Sequence, residues 1–167
     1  IEDDSQIRLR PYQSEAIKKW EANNYQGLFS MATGTGKTLT AIAAIKKIMA
    51  MEPGALVVLT VPLVTLADQW KVELSKFNIR TISAYTGHND WKDKLNHEGM
   101  QFSVDKNYNA PLIVAVNQTF NSDIFQSQIE ELSSSSETIN KLIIVDECHH
   151  FNKSNLITKL PELFNMR

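Results

Sequence analysis

Two stretches of this chain hold residue types suited to chemistry on a phosphate anhydride. The first is "SMATGTGKTLTA", Ser30–Ala41. Gly34 and Gly36 can take backbone angles closed to other residues, so the N–H groups of the loop Thr33-Gly34-Thr35-Gly36 can curl towards an anion. Lys37 adds a full positive charge for the β- and γ-phosphates of a nucleotide, and the Thr38 hydroxyl is placed to ligate Mg2+. The loop departs from the pattern G-x-x-x-x-G-K-[ST] at one point, because its first glycine is replaced by Met31. The second stretch is "LIIVDECHHF", an apolar run that ends in Asp146 and Glu147. Asp146 can hold Mg2+ through its water shell, while Glu147 can orient and deprotonate an attacking water. Paired acids of this kind point to hydrolysis of a nucleoside triphosphate rather than binding alone. Lys37, Asp146 and Glu147 are therefore the candidate catalytic residues, and Thr38 and Asp146 the candidate metal ligands. Cys148 reads as a small core residue, and His149 and His150 lack the Cys/His partners that a zinc site needs.

Asp146 lies 109 residues beyond Lys37, which leaves room for several βα units to bring the two stretches together. Pro11 opens a helix that carries Ala16, Ile17 and Trp20 at helical spacing and ends at Asn23-Asn24. Gly27–Ser30 reads as a brief buried strand running into the glycine loop, followed by a helix through Leu39, Ile42, Ile45, Ile48 and Met49 that stops at Pro53-Gly54. Ala55–Thr60 is too apolar for a strand with a wet face and belongs inside a parallel sheet. After Pro62, the stripe Leu63, Leu66, Ala67, Trp70, Leu74 and Phe77 predicts an amphipathic helix. Thr81–Tyr85, Leu112–Val116 and Leu142–Val145 read as strands, and Ser122 or Asp123 can cap a helix that runs to about Leu132, before a flexible connection at Ser133–Ser136. Residues Gly87–Asn109 have weak periodicity and read as a long loop with about one helical turn. Alternating strands and helices predict an α/β fold with a largely parallel sheet.

Bulk properties narrow the partners without naming one. The chain has 167 residues, suited to a single domain, with 43% hydrophobic and 22% charged residues, values that fit a folded globule. Its net charge is −2, so any nucleic-acid partner has to be argued from local motifs. Lys46, Lys47, Lys71, Lys76, Arg80, Lys92 and Lys94 read as solvated surface, Trp91 as a loop-anchoring core aromatic, and His88 and His97 take no role. One cysteine, no signal-peptide pattern and no long apolar run predict a cytoplasmic chain with no membrane partner. Its first residue is Ile1 rather than Met, the mark expected of a piece of something longer or of a product freed from a tag.

Gln13, "MATGTGKT" and "DECH" together resemble the superfamily 2 helicases and translocases, in the DExH group of restriction-enzyme motor subunits and repair helicases. The resemblance runs from about Leu9 to Phe151 and implies a RecA-like phosphate-loop lobe that binds ATP and Mg2+. It makes "LRPYQ" the segment whose glutamine reads adenine, which adds Arg10 and Gln13 to the nucleotide-binding residues Thr33, Gly34, Thr35, Gly36, Lys37 and Thr38. Met31 becomes a family mark, since related loops commonly replace the first glycine. By resemblance, His149 couples the Mg2+ site to the nucleic-acid side, Pro62 lies where the nucleic-acid backbone is touched, and "IVAVNQTF" matches a further contact motif in which Val116 replaces the usual threonine. The partners implied are nucleic acid, DNA rather than RNA, and a second RecA-like lobe that residues 1–167 do not contain. Without that lobe's arginine finger, worth about 10³ to 10⁵ in rate in related enzymes, the chain is expected to bind ATP and hydrolyse it very slowly. The family's next strand lies between the phosphate-loop strand and "LIIV", so its absence predicts a gap in the sheet and an incomplete C-terminal end of the lobe. A competing reading is a nucleotide-gated sensor or regulatory ATPase that does not separate strands.

Overall fold

In the computed structural model, residues 7–32, 34–87, 90–105, 108–134, 140–147 and 164–167 are described. Thr33, His88, Cys148, His149 and His150 lie outside them. The elements are α1 (Pro11–Ala22), α2 (Lys37–Met51), β1 (Leu56–Val61), α3 (Val64–Lys76), β2 (Thr81–Ala84), α4 (Trp91–Val104), β3 (Leu112–Val116), α5 (Asn117–Phe120), α6 (Asp123–Ser134) and β4 (Lys141–Val145). The four strands form one sheet in the order β2-β3-β1-β4, and every pairing is parallel. β1 and β3 are buried along their whole length, the outcome expected of continuous Val/Ile/Leu runs covered on both faces.

Alternation along β1 divides the core. Val57, Leu59 and Val61 face a layer that includes Ile42, Ile45 and Ile48 of α2 with Trp70 and Leu74 of α3. Leu56 and Val58 face the opposite layer, with Trp91 and Leu95 of α4, Phe120 of α5, and Phe125 and Ile129 of α6. Helices on both faces of a parallel sheet leave the strand C-termini as the open edge where a ligand site forms.

Two expectations from the sequence are corrected. Residues Gly87–Asn109 are not a long loop, because α4 occupies fourteen of them. Trp91 and Leu95 point inward while Met100 and Val104 are exposed, so packing against the sheet and α6 supplies a helix that the mixed pattern hides. Gly27–Ser30 is not a buried strand: no ladder includes it, and Leu28 is 73% exposed. The reason lies in the sheet edge. On the side of β4 away from β1, Ile143 N–H donates to the Met166 carbonyl at 3.0 Å and Met166 N–H to the Lys141 carbonyl at 3.0 Å. Arg167 then turns its polar groups the other way, with its N–H on the Tyr25 carbonyl at 2.8 Å and its carbonyl accepting from Gly27 N–H at 3.0 Å. This single rung of Met166 and Arg167 stands between β4 and the segment before the glycine loop. Beyond it, among the described residues, Leu28–Met31 and Ile144–Glu147 face each other across a cavity of about 350 Å³. A segment held off its would-be neighbour cannot complete a ladder.

Candidate nucleotide site

The glycine loop leads directly into α2. Gly36 is the N-cap of that helix with φ of 85°, and Gly34 has φ of 78°, so both sit in the left-handed region that favours glycine. No side chain caps α2, which leaves its first N–H groups for a ligand. A Cβ on Gly36 would lie 2.6 Å from Gln13 Nε2, so a side chain there would push the Gln13 amide out of its place.

α1 braces the loop from behind. The Tyr12 hydroxyl donates to the Thr35 carbonyl at 2.6 Å, and Gln13 Nε2 donates to the Gly36 carbonyl at 3.1 Å. Gln13 Oε1 accepts from Arg10 N–H at 2.8 Å, the glutamine half of a capping box at the start of α1. Gln13 is 2% exposed, and both ends of its amide are engaged by backbone. The expected Gln13 is thus beside the loop, and the arrangement makes it a brace of Gly36. Sequence reasoning missed Tyr12, although it stands next to Gln13 in "LRPYQ".

β4 delivers the acids. Its ladder with β1 ends where Asp146 N–H donates to the Thr60 carbonyl at 3.1 Å, and the carboxylate then leaves the sheet at its C-terminal edge. Asp146 Oδ1 accepts from Glu147 N–H at 3.0 Å, and Oδ2 accepts from the indole Nε1–H of Trp70 at 2.8 Å. Glu147 has φ of 54°, a left-handed conformation for a residue with a side chain. Such strain is held where surrounding structure over-determines it and clusters at functional sites. Lys37, Asp146 and Glu147 line the same cavity, with Met31, Ala41 and Trp70 among its other walls. The structure therefore brings the cation of the first stretch and both acids of the second to one space. Thr38 follows Lys37 in the first turn of α2, half-buried. Thr33 and His149, expected at this site, lie outside the described residues.

The cationic surface is mostly engaged elsewhere. Lys47 pairs with Glu21, Lys76 with Glu73 at 2.6 Å, Lys94 with Asp90 at 2.7 Å and Arg80 with Glu98 at 3.5 Å. Trp91 is a core aromatic, as its sequence reading has it, with its ring 5.5 Å from that of Phe125. Among the described residues, no group of three or more His, Cys, Asp and Glu could hold a metal by itself, and no helix is long and apolar enough to cross a membrane.

Comparison with known families settles the kinship of this arrangement. Residues 6–166 match the family described as "Type III restriction enzyme, res subunit". The chain belongs to this family. It is a superfamily 2 helicase N-terminal lobe with a RecA-like fold. Two curated relatives of this res-subunit lobe are similar in sequence. A DNA 3'-5' translocase XPB2 of Sulfurisphaera tokodaii is 38% identical over 71 residues, 42% of this chain and 15% of the relative. The endonuclease subunit of the type I restriction enzyme SsaAORF53P of Staphylococcus saprophyticus is 27% identical over 98% of this chain and 17% of its own length. The chain thus spans about a sixth of the curated relatives it matches. Two solved structures share the fold at 21% identity. A nuclease-deletion mutant of the type ISP restriction-modification enzyme LlaGI, in complex with a DNA substrate mimic, superposes with a TM-score of 0.64 over 85% of this chain and 15% of that one. The Sulfolobus solfataricus SWI2/SNF2 ATPase core in complex with dsDNA gives 0.60 over 94% and 30%.

Proposed function

We propose that residues 1–167 form the N-terminal ATP-binding lobe of a nucleic-acid-dependent ATPase motor, a DNA helicase or double-strand translocase whose second RecA-like lobe lies outside them. The observation that carries this reading is the shared cavity of Lys37, Asp146 and Glu147 beside the uncapped start of α2. ATP with Mg2+ fits the residues present: an anion-ready helix end, a glycine where a Cβ would collide, a cation on one side and two carboxylates on the other. The chemistry such a group would supply is neutralisation of phosphate charge by the metal and an anhydride bond from the nucleotide. The loop N–H groups and Lys37 would orient the phosphates, Thr38 and Asp146 would hold the metal, and the Glu147 carboxylate would accept a proton from a water positioned beside it. Tyr12 and Gln13 brace the loop from α1, with Arg10 N–H holding the Gln13 amide, and this places Arg10 and Gln13 beside the site where the resemblance has them bind the nucleotide. The DNA bound in both solved neighbours supports DNA over RNA as the track.

Isothermal titration of the chain with ATP, in Mg2+, tests the nucleotide site. Binding is expected in wild type and loss of at least 10-fold in affinity in Lys37→Ala; equal binding by the two would overturn the site. Competition with GTP and UTP reads base preference in the same experiment.

A further inference from the structure

The Asp146 carboxylate is held by two donors from two different elements. Glu147 N–H, the peptide that follows it, fixes Oδ1, and the Trp70 indole N–H, at the middle of α3, fixes Oδ2 at 2.8 Å. Rotation of an aspartate about its terminal torsion is soft, so one donor leaves the oxygens free to exchange places and two donors on opposite oxygens do not. The Trp70 contribution has properties that suit this task. Its ring is 6% exposed and packed in the core layer between α3 and the sheet, so the N–H has a fixed direction. Indole donates and does not accept, and it carries no charge near neutral pH, so it orients the carboxylate without competing for a cation. A neutral donor to an ionised acceptor also makes one of the stronger hydrogen bonds in a half-buried setting.

We propose that Trp70 is a positioning residue for Asp146. It turns the carboxylate so that its remaining lone pairs face the cavity shared with Lys37, and it ties α3 to the metal site. The inference rests on the Mg2+–nucleotide reading of that cavity. A purely space-filling tryptophan at this place would need the ring and not the N–H. Outer-shell partners of metal-holding groups are worth about 10- to 100-fold in metal affinity or activity.

The test uses the N-methylanthraniloyl derivative of ATP, with its fluorescence followed as Mg2+ is titrated, on wild type, Trp70→Phe and Asp146→Asn. Trp70→Phe is expected to raise the Mg2+ concentration for half-maximal response by about 10-fold or more, with binding in EDTA unchanged. A half-maximal Mg2+ concentration equal to that of wild type overturns the proposal. A second measurement does not require Trp70→Phe to fold: the indole N–H resonance of Trp70 should move in Asp146→Asn and on Mg2+ addition with nucleotide, while that of Trp91, in the opposite core layer, stays in place. A Trp70 resonance that ignores both overturns the proposal equally. Failure of the underlying reading is distinguishable, because wild type itself would then bind the fluorescent nucleotide no better than Lys37→Ala does; that result overturns the site and the Trp70 role with it.

Discussion

Gly36 and Gln13 meet so closely that each sets what the other can be. Gly36→Ala places a side chain at φ of 85° and 2.6 Å from Gln13 Nε2. A loss of about 1–2 kcal/mol is expected from the backbone conformation alone, measurable by urea denaturation, together with weaker ATP binding. Gln13→Ala removes the amide that joins Arg10 N–H to the Gly36 carbonyl. Stability is expected to fall by about 1–3 kcal/mol. A glutamine that served the base alone would leave the urea midpoint unchanged and alter discrimination between ATP and GTP. The residues proposed to bear the chemistry were the easiest to read. Lys37, Thr38, Asp146 and Glu147 announce themselves because their types are unusual at the end of an apolar strand or the start of a helix. Trp70 and Tyr12 did not, for physical reasons that differ: one is part of the α3 inward stripe and the other stands in the first turn of α1. Trp70 packs and donates at once and shows only its packing half to a periodicity argument, whereas Tyr12, 41% exposed, lies on no apolar stripe at all.

Elements were legible where apolar residues alone decided them, and hidden where neighbours did. β1 and β3 could be read from their runs because burial on both faces leaves no polar positions to confuse the pattern. α4 was hidden because its fixed points are Trp91 and Leu95 at one end, with exposed Met100 and Val104 at the other. Trp91→Ala is expected to cost about 3–5 kcal/mol, whereas Lys92→Ala should stay within about 0.5 kcal/mol of wild type; thermal denaturation of the pair checks that α4 is held by its core face. α3 is joined to the residue that follows β2, because the Tyr85 hydroxyl donates to Asp68 Oδ1 at 2.7 Å. Burial, and then this bond to Asp68, push the phenol from 10.0 up to about 12. A proton bound more tightly in the folded state gives stability that is complete below pH 10 and lost as pH rises from there towards about 12. Alkaline denaturation of wild type should show this loss, and Tyr85→Phe should lack that component of the pH dependence.

At the scale of the molecule, the sheet explains both what the site has and what surrounds it. The α/β class, the parallel sheet and the pairing of a glycine loop with a distant acidic strand end were all readable, because each follows from local pattern and known handed connections. The state of Gly27–Ser30 was not, since a strand exists only with a partner, and partnership is a property of the sheet rather than of four residues. Here the partner is the short rung of Met166 and Arg167, and the space above it is the cavity that holds Lys37, Asp146 and Glu147. This cavity is proposed as the ATP site of a DNA-dependent motor. ATP hydrolysis by the full-length protein, with and without double-stranded DNA, tests it most directly, with Lys37→Ala as the paired variant. Turnover is expected to rise with DNA and to fall at least 100-fold in Lys37→Ala, a drop of about 2.7 kcal/mol in transition-state stabilisation. Turnover that is indifferent to DNA, or that survives in Lys37→Ala, would contradict the proposal.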